Sequence, residues 1–413
     1  MSDIRPFPAY RPNPDLVEQV ASPPYDVLNS QEARAMAEGN PHTFLHVVKP
    51  EIDLEPGIDV YDDRVYAKGA ENLQRMIDEG WLIREATPAY YVYQQEWNGH
   101  VQAGVVAGAS VDEYENDLIK KHEFTRPAKE DDRTRHVDTL NANTGPVFLT
   151  YEARADINAL VDEVRAGTPL YDFTAPDGIV HTVWAVTDAA GVNAFTQAFS
   201  QIPASYVADG HHRSASAARV GKQRRSANPG HTGNEVYNHF LAVFFPHDQL
   251  KILDYNRVIK DLGDVEPDDL ISEIEDSFTV SESAVPSPDR PAMFGMYFQG
   301  KWYDLTAKPG SFPAEDPVKS LDVSILQDNL ISPILGIDDP RTDNRIDFVG
   351  GIRGTDELER RVNEGAALAF ALHPTSIEQL ISVADSGEVM PPKSTWFEPK
   401  LRSGLLVRSL TEG

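Results

Sequence analysis

The chain has 413 residues, 41% of them hydrophobic and 25% charged, which describes a globular protein long enough for two or three closely packed domains. Its formal net charge of −28 opposes attraction to a polyanion, so nucleic acid is excluded as the main partner. Cysteine is absent, which removes disulfides, thiolate nucleophiles and thiol metal sites and leaves phosphate chemistry or plain binding.

Acidic residues number 65 against 37 basic ones, and 13 of the latter are lysine, a balance that suits either a salty cytoplasm or simple solubility. The start, Met1-Ser2-Asp3-Ile4-Arg5, lacks a basic segment followed by an apolar run, and no stretch approaches the ~18 consecutive apolar residues of a membrane helix. The expectation is a cytoplasmic protein with no membrane partner.

In chain order, residues 1–28 read as irregular or extended. Pro23-Pro24 is stiff and lacks two amide donors, so it fixes Tyr25 and Asp26 either at the edge of a site or in a packed arm. Asn29-Ser30 caps a helix over 31–38, closed by Gly39-Asn40. The run 43–48 reads as a buried strand, and Val65, Ala70, Leu73 and Ile77 make an amphipathic helix between 61 and 80. Two antiparallel strands, 90–97 and 101–109, flank Asn98-Gly99, a strong hairpin signal.

The segment 120–133 gathers six basic residues, counting His122, in an otherwise acidic chain. Such a local concentration fits recognition of phosphate or carboxylate, against the alternative of a solvated surface loop. Pro127 makes Arg126 extended, so the segment reads as a loop able to wrap a ligand, and Asp131 or Asp132 is expected to cap the helix carrying Arg133 and His136. His122-Glu123 has no second histidine four residues later, so it is not a zincin pair; Glu123 reads as a general base or Mg²⁺ ligand.

A strand over 146–151, a helix over 155–166, strands near 169–173 and 179–186 and a helix over 188–199 lead to the densest chemical stretch. Tyr206-Val207-Ala208 is β-type, breaks at Asp209-Gly210 and passes into an alanine-rich helix from about His211 to Arg225. The amides of a helix's first turn, with the positive end of its dipole, attract anions, and Gly210 lets backbone approach closely. His211, His212 and Arg213 add donors, and Asp209 suits a carboxylate that holds Mg²⁺ or receives a proton. The plainer alternative is a polar cap on an ordinary connection.

Beyond the motif, 224–233 reads as a mobile loop or connector, 240–246 and 250–255 as a strand pair, and Arg257 as a further anion candidate. From Asp264 the texture turns more acidic, which places a boundary near 262 and separates 1–262 from 263–413. A helix over 267–278, a hairpin around Gly300, a glycine-rich turn at 348–354, a helix over 355–364 and a strand over 367–373 follow. The glycine-rich turn has no Walker lysine. Prolines 391 and 392 hold Lys393, Ser394 and Thr395 extended, either as a second wall of an anion site or as a tail anchored by Trp396 and Phe397.

Asp209-Gly210-His211-His212-Arg213 resembles the signature of the ParB/sulfiredoxin-like superfamily, which includes free serine kinases and nucleotide-binding segregation proteins. The whole chain resembles the domain of unknown function 1015 family through four blocks in order: Ser22-Pro23-Pro24-Tyr25-Asp26-Val27; His122-Glu123-Phe124-Thr125 with Lys129 and Asp132-Arg133; the Asp209 signature; and Met390-Pro391-Pro392-Lys393-Ser394-Thr395. Without cysteine, the sulfiredoxin branch is excluded chemically. The resemblance implies an α+β (mixed α/β) fold, with a ParB/sulfiredoxin-like core around a mixed sheet, elaborated by N- and C-terminal α/β regions.

Dense carboxylate, histidine and arginine around anion donors point to phosphoryl transfer, where positioning and neutralisation do most of the catalysis. In this reading Gly210, His211, His212, Arg213, Lys129 and Arg133 hold phosphates, Asp209 and Glu123 serve Mg²⁺ and catalysis, and Tyr25, Asp26, His122, Thr125, Arg126, Lys393, Ser394 and Thr395 contact substrate. The kinases sharing the signature imply L-serine as acceptor and O-phosphoserine as product. ATP, ADP and pyrophosphate stay open as donor, as do a non-catalytic nucleotide or metabolite sensor, a phosphoserine-directed hydrolase, and a homodimer.

Overall fold

A computed structural model describes residues 2–411 and divides the chain into two compact units, Met1–Leu250 with Pro399–Gly413, and Lys251–Glu398. The first unit is built on a nine-stranded mixed sheet. Its order runs Ile119–Lys120, Ser205–Asp209, Val147–Tyr151, His239–Pro246, His100–Ser110, Tyr90–Trp97, Val180–Val186, Tyr171–Thr174, with Ile4–Arg5 added to His100–Ser110. Two neighbouring pairs are parallel, Ser205–Asp209 with Ile119–Lys120 and His239–Pro246 with Val147–Tyr151; the others are antiparallel. The hairpin turns at Asn98-Gly99, both with positive φ as a tight two-residue loop requires.

Helices Ala155–Arg165 and Ala189–Phe199 bury Ile157, Val161, Phe195 and Phe199 in one apolar cluster with the sheet residues Tyr151, Trp184 and Phe244. A second cluster joins Phe44, Leu45, Val47, Leu73, Met76 and Leu140 with Val407 from the chain's end. That is why 43–48 is not a strand. Leu45–Val48 is a helical turn, buried at Leu45, Val47 and Val48, and Asn72 Nδ2 donates to His46 O at 2.7 Å. A run buried on every side carries no period by which to tell helix from strand.

The second unit is an antiparallel six-stranded sheet ordered Phe278–Ser283, Lys301–Ala307, Met293–Phe298, Leu368–Leu372, Tyr255–Ile259, Ile346–Gly350. Helices Leu270–Ile274, Asp356–Asn363 and Ile377–Asp385 accompany it. The change of unit falls at 250/251 and again at 398/399, not at 262. Lys251–Leu253 pairs with Trp396–Glu398, so it is no partner of the strand before it. The residues after 398 return to the first unit, where Arg408–Ser409 pairs with Ala142–Asn143 and Val407 bridges Tyr10. No helix among the described residues is long and apolar enough to cross a membrane.

Candidate anion site at the motif helix

The motif forms the expected strand, turn and helix: Ser205–Asp209, Gly210, then His211–Ala227. The strand's register against Val147–Tyr151 slips between Val207 and Asp209, a bulge that re-aims the side chain after it. Asp209 is therefore delivered to the sheet's end with 30% of its side chain exposed. Gly210 has φ 95°, a left-handed conformation that favours glycine, and a Cβ there would stand 3.1 Å from Arg213 Nε, so the guanidinium would have to give way to a larger residue. Ser214 N donates to Gly210 O, while the amides of His211, His212 and Arg213 have no acceptor among the described residues, and no side chain caps the helix. Three unpaired donors thus stand at the positive end of a 17-residue helix, an arrangement that favours negative charge.

The second basic block meets this turn at both histidines. Glu123 Oε2 lies 3.8 Å from His211 Nδ1, and the His122 ring stands edge-on to His211 with centroids 4.4 Å apart. The backbone N–H of Arg126 donates to His212 Nε2 at 3.1 Å, which places that ring's own proton on Nδ1 when it is neutral. The helix begins earlier than expected, at Pro127 with extended Arg126 before it, and runs Pro127–Leu140. Asp132 is consequently no cap. It is buried, accepts from Tyr66 Oη at 2.8 Å and pairs with Arg133 at 2.9 Å.

The charges differ from the expected cluster of cations. Burial pushes His122 down to about 4, outweighing the opposing pull of Asp209. Burial, aided by His122, holds His211 well below the usual histidine range, and burial also lowers His212 despite Asp26. These are neutral imidazoles at neutral pH, and His211 Nε2 is buried without a partner among the described residues. The positive charge comes instead from Arg213 and from Lys400. Lys400 Nζ stands 3.2 Å from Asp209 Oδ2, and Arg213 Nη2 stands 3.8 Å from both Asp209 and Asp26. Burial alone would raise the Asp209 pKa, but Lys400 and Arg213 hold it well below the usual carboxylate range.

Of the remaining expected residues, Tyr25, Asp26 and Arg133 gather around Arg213 and the others lie apart. Arg213 Nη1 donates to Pro146 O, and Arg133 lies over the Tyr25 ring at 4.1 Å. Beside both arginines is a cavity of about 30 Å³, room for a single water, also lined by Tyr25, His136, Thr144 and Ser403. Lys129 Nζ stands 5.4 Å from the Tyr61 ring centre, and Thr125 Oγ1 donates to Glu130. Lys393, Ser394 and Thr395 belong to the second unit, where Ser394 Oγ donates to Pro391 O at 2.6 Å and its carbonyl accepts from Thr375. Lys400 was not anticipated. The available signal was Pro399-Lys400, a lysine after a proline in a tail with more basic than acidic residues.

The donor set tests poorly as a preformed Mg²⁺ centre. Asp209 Oδ1 accepts from Gly210 N at 2.8 Å, its Oδ2 faces Lys400, and no group of three or more His, Asp or Glu side chains among the described residues converges as metal ligands do. Lys400 supplies the positive charge at this carboxylate.

Fold and site together define a two-unit α+β protein whose motif helix starts on three backbone amides without acceptors among the described residues. The chain belongs to the family described as Protein of unknown function (DUF1015), which matches residues 4–324. No curated protein matches it. Among solved structures it is similar to a variant of free serine kinase in complex with AMP, at 14% identity over 73% of this chain and 91% of that one, with a TM-score of 0.36. It is also similar to a conserved hypothetical protein from Pyrococcus furiosus, at 14% identity, 74% and 95% coverage and a TM-score of 0.36. A C-terminally truncated SbnI from Staphylococcus aureus gives 11% identity, 74% and 89% coverage and 0.39. At these values no residue role passes from those proteins to this chain.

Proposed function

We propose that the first unit transfers a phosphoryl group to a small hydroxy metabolite, with free L-serine the acceptor implied by the motif's resemblance. The observation that carries this reading is the convergence, on one turn, of three helix amides without acceptors, two cations and a half-exposed carboxylate, Glu123. The amides of His211, His212 and Arg213 would hold donor phosphate oxygens, and Arg213 and Lys400 would offset charge developing beside Asp209. Glu123, 41% exposed, would take the proton of the acceptor hydroxyl as its oxygen bonds phosphorus and the bond to the donor's bridging oxygen breaks. ATP, ADP and pyrophosphate are the donors to compare.

One observation favours a sensor instead. Both Asp209 oxygens are already engaged, as in a carboxylate that only fixes a turn. Phosphorus NMR of the full chain with Mg²⁺, L-serine and each donor separates the readings. An O-phosphoserine resonance supports transfer; donor binding with no transfer to any hydroxy metabolite contradicts it and leaves the sensor.

A further inference from the structure

In the second unit the strand Tyr255–Ile259 places Tyr255 and Arg257 on one face, because alternate residues of a strand point the same way. Arg257 lies opposite Phe348 in the antiparallel register, its guanidinium carbon 4.9 Å from the centre of that ring and 6.0 Å from the centre of Tyr255. Lys393 brings a second cation to the same tyrosine, with Nζ 5.5 Å from the ring centre. Trp396 stands edge-on to Tyr255 at 5.2 Å, and it fits because residue 350 is glycine; a Cβ there would be 2.7 Å from the indole.

Arg257 is 4% exposed, yet it makes no ion pair among the described residues, and its one hydrogen bond there runs from Nη1 to the Tyr255 carbonyl. Burial pulls its pKa down to about 10, which leaves it charged at neutral pH. Lys393 also lacks an ion pair among the described residues, and it is held at φ 61°, a conformation lysine rarely adopts. A buried cation without a counter-charge is unfavourable, and aromatic faces offset it only in part. In a chain with 65 acidic residues, these two cations beside one tyrosine have no carboxylate ion-paired to either of them among the described residues.

We propose that Arg257 and Lys393, framed by Tyr255, Phe348 and Trp396, form an oxyanion site in the second unit that takes the phosphate or carboxylate group of a small metabolite. It stands independently of the phosphoryl-transfer reading. The test titrates the full chain with inorganic phosphate and, separately, with acetate, following tryptophan fluorescence with a Trp396→Phe chain as the blank. The expected result is a saturable Trp396 signal with at least one anion, and which anion saturates assigns phosphate or carboxylate. Arg257→Gln should weaken binding about ten-fold or more, as loss of a charge-assisted bond does, and Lys393→Asn about three-fold or more. Asparagine tolerates the left-handed backbone, so Lys393→Asn decides if Arg257→Gln fails to fold. No saturable signal with either anion, or folded Arg257→Gln and Lys393→Asn chains that titrate like wild type, would overturn the proposal.

Discussion

In the first unit Asp209 lies between Lys400 at 3.2 Å and Arg213 at 3.8 Å, whereas in the second Asp322 accepts one backbone bond from Ala292 and its other oxygen has no partner among the described residues. The arginines divide the same way. Arg213 faces Asp26 and Asp209, and those carboxylates raise its pKa against the lowering effect of burial; Arg257 has aromatic rings and a carbonyl, and burial lowers it. Pairing thus decides what burial does to a charge. Asp209 stays ionised far below the ordinary range, while burial lifts Asp322 to about 7.

This contrast fixes opposite pH dependences. The folded pKa of Asp209 is depressed, so its contribution to stability is complete above the usual carboxylate range near 4 and is lost as pH falls below it. The folded pKa of Asp322 is raised, so its contribution is complete below 3.8 and is lost as pH rises through about 7.

The largest stability effect expected is at Arg213. Arg213→Met strips the cation from two carboxylates and should cost roughly 2–4 kcal/mol, discounted from a fully buried pair because both acids are partly exposed. Denaturant unfolding at pH 7 measures it, and a cost below ~1 kcal/mol would erase the distinction between paired and unpaired charge. Asp322→Asn should stabilise the chain by roughly 1–2 kcal/mol at pH 8, the relief of a raised carboxylate reduced by the burial of an amide. That gain should fade as pH drops from 8 to 5; a gain independent of pH would mean that Asp322 does not titrate near 7. Arg257→Met should change stability by only about zero to 1 kcal/mol in either direction, since no carboxylate is left behind. A loss as large as that of Arg213→Met would show a counter-charge at Arg257 and break the comparison.

What was legible in the sequence was local. The β-type run, Gly210 and the alanine-rich stretch gave strand, turn and helix because each signal lies within a few residues of what it specifies. The meeting of 122–126 with the motif was anticipated from charge composition, and the contacts at His211 and His212 carry it. Lys400 was hidden because 191 residues separate it from Asp209, and it arrives only when the chain's end folds back onto the first unit. Histidine neutrality was hidden too, since burial is a property of the packed fold: adjacent histidines and an arginine looked like three cations. The segment 43–48 misled because an apolar run buried all round fits a strand and a helical turn equally.

The central claim, that the Asp209 turn and Glu123 form one phosphoryl-transfer site, is tested most directly by Glu123→Gln, with donor affinity from calorimetry and turnover from phosphorus NMR. A base acts on the chemical step and leaves donor binding alone, so the account predicts unchanged donor affinity and fold with turnover cut about 10²-fold or more. Full turnover in Glu123→Gln would contradict its role as base and pass that role to Asp26, and a wild-type chain that binds donor but transfers to no hydroxyl would contradict the central claim itself.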